Sequence, residues 1–95
     1  MQRSDVPTVF VGKKNKSFYL NVCIKLFERG EKKLVIEALG GNVGKAVDVA
    51  NYFVYIFKKN EAIIEDVQLD MVEGQTVRGL PKKVSRIRIL ISSLQ

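Results

Sequence analysis

The stretch Leu34-Val35-Ile36-Glu37-Ala38-Leu39-Gly40-Gly41-Asn42-Val43-Gly44-Lys45-Ala46-Val47-Asp48-Val49-Ala50-Asn51-Tyr52-Phe53-Val54-Tyr55-Ile56-Phe57 decides the fold, because its hydrophobic period changes partway along. Leu34 to Leu39 is a short apolar run with one acid, Glu37, and its length and bounding glycines favour a strand at the centre of a sheet. After Gly40-Gly41 the period becomes helical. Asn42 is placed to cap a helix whose inner stripe is Val43, Ala46, Val47, Ala50, Phe53, Val54 and Phe57. Val49, Tyr52 and Ile56 form a second stripe, so this helix is apolar over more of its circumference than one sheet face can cover. A homodimer contact through Val49, Tyr52, Tyr55 and Ile56 would absorb the excess.

Upstream, residues 6–11 are β-branched and aromatic and stop at Gly12, which predicts a first strand with Pro7 at its start or on an edge. From Ser17 to Arg29, Leu20, Cys23, Ile24 and Phe27 recur at i, i+3, i+4, i+7, an amphipathic helix closed by Gly30. Downstream, Ile63, Val67, Leu69 and Met71 alternate with Ile64, Asp66, Gln68 and Asp70, the pattern of a half-exposed strand, with Glu65 the exception on the apolar side. The last strand sets Ile87, Ile89 and Ile91 against Arg86, Arg88 and Leu90. The connection Val72 to Lys83 is long for a hairpin, has no core of its own, and is expected to gain its order on a partner. The order is therefore βαβαββ. It predicts one α/β (α+β) domain over residues 1–95, a two-layer sandwich with two helices on one face of a four-stranded mixed sheet and a long basic β-hairpin.

Ninety-five residues with 46% hydrophobic and 27% charged side chains suit one compact domain. The formal charge of +6 favours a polyanionic partner, and nucleic acid and anionic membrane both answer that description. The absence of histidine excludes His-based zinc sites, Ser-His-Asp triads and Cys-His pairs. The single Cys23 can form no internal disulfide and lies in an apolar helical stretch, where it reads as packing. Glu65, Asp66, Asp70 and Glu73 scatter over both faces of a strand, so neither a metal site nor acid-base chemistry is expected, and the chain does not read as an enzyme. The opening residues Met-Gln-Arg-Ser-Asp-Val-Pro lack an apolar leader core, and no run approaches the roughly 20 residues that cross a bilayer. An intracellular, cofactor-free protein is expected.

The charges separate into segments. Lys13, Lys14 and Lys16 lie together at the entry to the first helix, while Arg78, Lys82, Lys83, Arg86 and Arg88 follow Glu73 with no acid among them. The stretch from Leu34 to Glu73 is net acidic. Two apparent phosphate motifs fail. Gly40-Gly41-Asn42-Val43-Gly44-Lys45 lacks the Walker glycine, having Leu39 there, and has Ala46 where Ser or Thr is needed. Gly41-Asn42-Val43-Gly44 has the GxxG form of a KH clamp but joins a strand to a helix.

Val11-Gly12-Lys13-Lys14, a helix bearing Tyr19, Gly30 before an apolar strand, Lys45-Ala46-Val47-Asp48 and Val84-Ser85-Arg86-Ile87-Arg88-Ile89 together resemble the archaeal Alba chromatin proteins over nearly the whole chain. The resemblance implies a homodimer whose paired lysine loops form the body of a surface for double-stranded DNA or RNA, with two hairpin arms reaching along the minor groove. It implies sequence-independent binding in chromatin organisation or RNA stabilisation, on the chromosome in the cytoplasm or, in a eukaryote, the nucleus, with no membrane or small-molecule partner. An alternative is a protein subunit of an RNA-processing ribonucleoprotein of the RNase P or MRP type, in which a paralogue replaces the second copy. The residues so implicated are Lys13, Lys14, Lys16, Lys45, Arg78, Lys82, Lys83 and Arg86, and Lys13 or Lys14 stands where some relatives are acetylated. Ala38-Leu39-Gly40-Gly41 departs from the usual Ala-Arg-Gly-Arg and loses two arginines, and Asn15-Lys16-Ser17-Phe18 replaces Pro-Val-Met-Asn, with Lys16 returning one charge.

Overall fold

The computed structural model describes residues 5–95, so the expectation about an N-terminal leader rests in part on residues outside those described. Strand β1 (Thr8–Val11) leads through helix α1 (Lys16–Glu28) to β2 (Lys33–Leu39), then through a 3₁₀ turn at Gly40–Asn42 to α2 (Val43–Tyr52). A π-helical turn at Phe53–Phe57 continues α2 and precedes β3 (Ala62–Gln75) and β4 (Pro81–Ser93). The sheet order is β1-β2-β4-β3, with β1 and β2 parallel and the other pairs antiparallel. This is the predicted βαβαββ sandwich, and β2 is central.

Alternation along the strands sends Val9 and Val11, Leu34, Ile36 and Ala38, and Ile87, Ile89 and Ile91 into one core with Tyr19 and Cys23 of α1 and Ala46, Val49, Ala50, Phe53 and Val54 of the second helical segment. Each large side chain buried there is worth about 1.5–3 kcal/mol relative to exposure. Phe27 meets Phe53 edge to face, the ring centroids 5.0 Å apart. Helix α1 is fixed at both ends. Asn15 Oδ1 accepts the Phe18 amide at 3.0 Å, and Gly30, at φ 99°, lets its own amide and that of Glu31 reach the Phe27 and Leu26 carbonyls. No helix among the described residues is long and apolar enough to cross a membrane.

Four expectations need correction. Asn42 makes no side-chain cap, because it lies inside the 3₁₀ turn with helical dihedrals and so cannot aim its amide at the first helical N–H groups. The inner stripe of α2 does not run to Phe57. The Lys58 amide bonds the Phe53 carbonyl at 2.8 Å, an i to i+5 link whose extra residue rotates the end of the segment by roughly 100°, leaving Phe57 exposed. Val47 is also exposed. Glu65 does not lie on the apolar side. A bulge between Ile64 and Asp66 places Ile64 opposite Ile91 on the core face, while Glu65 accepts from the Ser92 hydroxyl and pairs with Lys33 at 3.4 Å. The same phase change takes Ile63 off the row of Val67, Leu69 and Met71, since Ile63 pairs with Ser92 and those three with Ile89, Ile87 and Ser85.

The fourth correction concerns the hairpin. Its strands pair without interruption to Gln75 and Pro81, so only Thr76 to Leu80 remain as a connection. That turn closes on itself: the Thr76 amide bonds the Leu80 carbonyl at 2.9 Å, and Thr76 Oγ1 accepts from the Leu80 amide at 3.1 Å. The arm is a preformed ribbon, and its ladder supplies the order that a partner was expected to impose.

Gly40 links the central strand to the second helical segment at φ 52°, and a Cβ there would lie 3.2 Å from Val84 Cγ1. Gly41 has open space around the same position. Gly40→Ala should therefore lower unfolding free energy by about 1–3 kcal/mol, whereas Gly41→Ala should stay within about 0.5 kcal/mol of the parent in chemical denaturation.

Candidate nucleic-acid interface

The short loop between β1 and α1 carries Lys13 and Lys14, and its backbone is held from both sides. Tyr19 Oη, from the first turn of α1, accepts the Gly12 amide at 2.9 Å and the Lys14 amide at 3.1 Å. Lys45 Nζ, from the first turn of α2, donates to the Gly12 carbonyl and to the Lys14 carbonyl, the latter at 2.8 Å. Lys13 is thus the apex between two anchored residues, and the side chains of Lys13 and Lys14 are exposed. The Lys14 ammonium lies 5.3 Å from the centre of the Phe18 ring, which itself meets Tyr19 edge to face.

The predicted basic residues differ in what they touch. Lys16, the first residue of α1, is bonded to Asp48 at 2.6 Å, and this contact raises its pKa above the ordinary 10.5 while offsetting its charge. Arg86 stands at the base of the arm and donates to both oxygens of Asp70 at 2.8 and 2.6 Å. It also lies 4.0 Å from Glu37, which in turn has Arg88 Nε at 3.2 Å. Arg78, Lys82 and Lys83 lie further out on the arm, Arg78 in its turn, Lys82 opposite Gly74 and Lys83 opposite Glu73. Among the described residues, Lys13, Lys14, Arg78, Lys82 and Lys83 form no ion pair. The structure therefore sorts eight predicted cations into five unpaired ones, two in ion pairs, and Lys45, whose ammonium is committed to backbone carbonyls.

Of the four residues assigned to a self-contact, Tyr52, Tyr55 and Ile56 are exposed, Ile56 at 63%. Val49 cannot take part. At 1% exposure it belongs to the monomer core, because α2 presents it to the sheet beside Ala46, Ala50 and Phe53. Val67, Leu69 and Met71, on the core-side row of β3 but beyond the reach of the helices, are also exposed, Leu69 at 73%.

Sequence reasoning did not assign Tyr19 to the lysine loop. The signal for it was a tyrosine four residues before Cys23 on the buried face, which needs a partner for its hydroxyl. The pairing of Arg86 with Asp70 was missed as well, since it arises only from the β3–β4 register. Burial pushes the Cys23 thiol up to about 12, which leaves it protonated and inert, as the packing reading requires.

Residues 7–70 match the Alba family. The chain is 33% identical over 85 residues to the DNA/RNA-binding protein Alba of Nanoarchaeum equitans, covering 88% of this chain and 94% of that one. It is 36% identical over 84 residues to the DNA/RNA-binding protein Alba of Thermoplasma volcanium, covering 88% and 92%. The solved structure of Alba from Thermoplasma volcanium superposes with a TM-score of 0.83 at 35% identity, over 90% of this chain and 98% of that one. ALBA1 from Trypanosoma brucei shares the fold, with a TM-score of 0.72 at 22% identity over 96% and 72%.

The Arg86 hydrogen bonds hold the Asp70 carboxyl below its ordinary 3.8, and the bonds from Ser92 and then Lys33 hold Glu65 below 4.5. Because these folded values are depressed, the stabilisation is complete above the ordinary values and is lost as pH falls through the lower folded ones. Between about pH 5 and pH 2 the melting temperature of Asp70→Asn should fall less than that of the parent, as read by circular dichroism.

Proposed function

Since this chain belongs to the Alba family, we propose that it is a dimeric binding protein for DNA or RNA that contacts phosphates rather than reading sequence. One observation carries this reading: of the eight cations assigned to the interface, the five left without an ion pair or a backbone clamp stand on a backbone-fixed loop, Lys13 and Lys14, and on a preformed arm, Arg78, Lys82 and Lys83. Cations on loops and on a ribbon suit contact with a phosphate backbone, which positions a protein on nucleic acid without reading its bases. The reading is of a binding protein with no chemical step, acting in chromosome organisation or RNA stabilisation where nucleic acid is found. Modification of Lys13 or Lys14 by acetylation would remove a charge from the loop itself.

Dimerisation is inferred from the exposed apolar surface. Tyr52, Tyr55 and Ile56 at the end of the second helical segment and Val67, Leu69 and Met71 along β3 are large apolar side chains that the monomer leaves exposed, the kind of surface that marks a protein contact. A second copy supplies the same surface by two-fold symmetry, which brings two lysine loops and two arms into one assembly. In sedimentation, Ile56→Glu is expected to give monomers. If it stays dimeric while Leu69→Glu dissociates, the contact runs along the strand instead, and if both stay dimeric the interface lies elsewhere.

The binding reading is tested by a salt series on a duplex of arbitrary sequence. Lys13→Ala with Lys14→Ala should weaken binding and reduce the salt slope by about 0.9 for each phosphate no longer neutralised, close to four units per dimer if all four lysines bind. Scrambled duplexes of equal length should bind within about tenfold of each other, and a preference above roughly a hundredfold would contradict phosphate-dominated binding.

A further inference from the structure

The Lys13-Lys14 loop has an arrangement that its positive charge alone does not require. Two amides converge on one oxygen, Tyr19 Oη, and two carbonyls converge on one nitrogen, Lys45 Nζ. The backbone polar groups of Gly12 and Lys14 are thereby satisfied by two side chains from different helices. The Lys45 ammonium has two of its three hydrogens directed at these carbonyls, and it lies 6.0 Å from the centre of the Tyr19 ring. A phosphate contact by Lys45 would have only the third hydrogen to use while both carbonyl bonds are kept. Tyr19 is buried, so its hydroxyl meets the loop and not a ligand.

We propose that Lys45 and Tyr19 are positioning residues that hold the lysine loop in its binding shape without touching nucleic acid. This rests on the loop being part of the phosphate-binding surface. A loop fixed before binding loses its backbone freedom during folding, so association does not bear that cost again. The ammonium–carbonyl bonds are charge-assisted and correspondingly strong. The clamp also spans the fold: it ties the start of α1 and the start of α2 to the end of β1, so the two lysines are registered against the body of the domain.

The test uses the full protein in four forms: the parent, Tyr19→Phe, Lys45→Met and the Lys13→Ala/Lys14→Ala pair. Each is measured by a salt series on one duplex and by amide hydrogen exchange of the free protein. Tyr19→Phe removes one oxygen and no charge. It should speed exchange at the Gly12 and Lys14 amides and weaken binding about tenfold with the salt slope unchanged. Lys45→Met should also speed that exchange and weaken binding with little change in slope. A fall in slope of about 1.8 per dimer for Lys45→Met, with exchange as in the parent, would mean that Lys45 is a phosphate ligand and would overturn the proposal. So would Tyr19→Phe matching the parent in both exchange and affinity. If the lysine pair leaves affinity and slope untouched, the interface reading itself fails and takes the proposed role with it. Exchange, read without nucleic acid, separates that failure from a failure of the clamp.

Discussion

The structure depends on one register: Leu34, Ile36 and Ala38 of β2 stand opposite Ile91, Ile89 and Ile87 of β4. These six side chains share one face because strand residues alternate, and a slip of one residue would turn all of a strand's apolar set to the other side. With that face covered by the two helices, the opposite face receives Glu37, Arg86 and Arg88. Strand β3 then joins the outer side of β4, and its bulge at Glu65 lets an otherwise ill-phased sequence keep Ile64 toward the core and its acid toward Lys33 and Ser92.

Strand β4 serves two regions at once. Its later residues carry the core isoleucines, and its first residues, paired only with β3, form the arm. Between these regions lies the ion-pair group Asp70, Arg86, Glu37 and Arg88, which offsets positive charge at the arm's base. The interface cations left without an ion pair, Arg78, Lys82, Lys83, Lys13 and Lys14, therefore stand further out on the arm or on the lysine loop. A field distributed in this way favours a long anion lying across both places over a small one bound at a single point.

Rigidity is distributed by the same logic. The lysine loop is tied by side chains of two helices, whereas the arm is ordered by its own ladder and a closed turn. The arm has neighbours along one ladder only, so its openings involve few buried apolar contacts, and it belongs to the less stable end of the domain's local equilibria. A firm central contact with a more yielding extension suits a duplex whose grooves vary in width with sequence.

The element order, the helix stripe at Cys23, the central β2 strand and the separation of basic from acidic segments were all legible in the sequence, because each rests on local periodicity or on charge along the chain. The Alba resemblance was legible too, since it lies in motifs at fixed spacing. What the chain could not disclose by itself was every feature that depends on an approach between distant segments. Val49 looked like surplus surface until the packing of α2 placed it in the core, and Phe57 looked buried until the π turn rotated it outward. Lys16, Lys45 and Arg86 were equivalent cations in the sequence. Only the folded chain gives them Asp48, the loop carbonyls and Asp70 as partners, because the distance between two charges or between a donor and an acceptor is set by tertiary structure and not by composition.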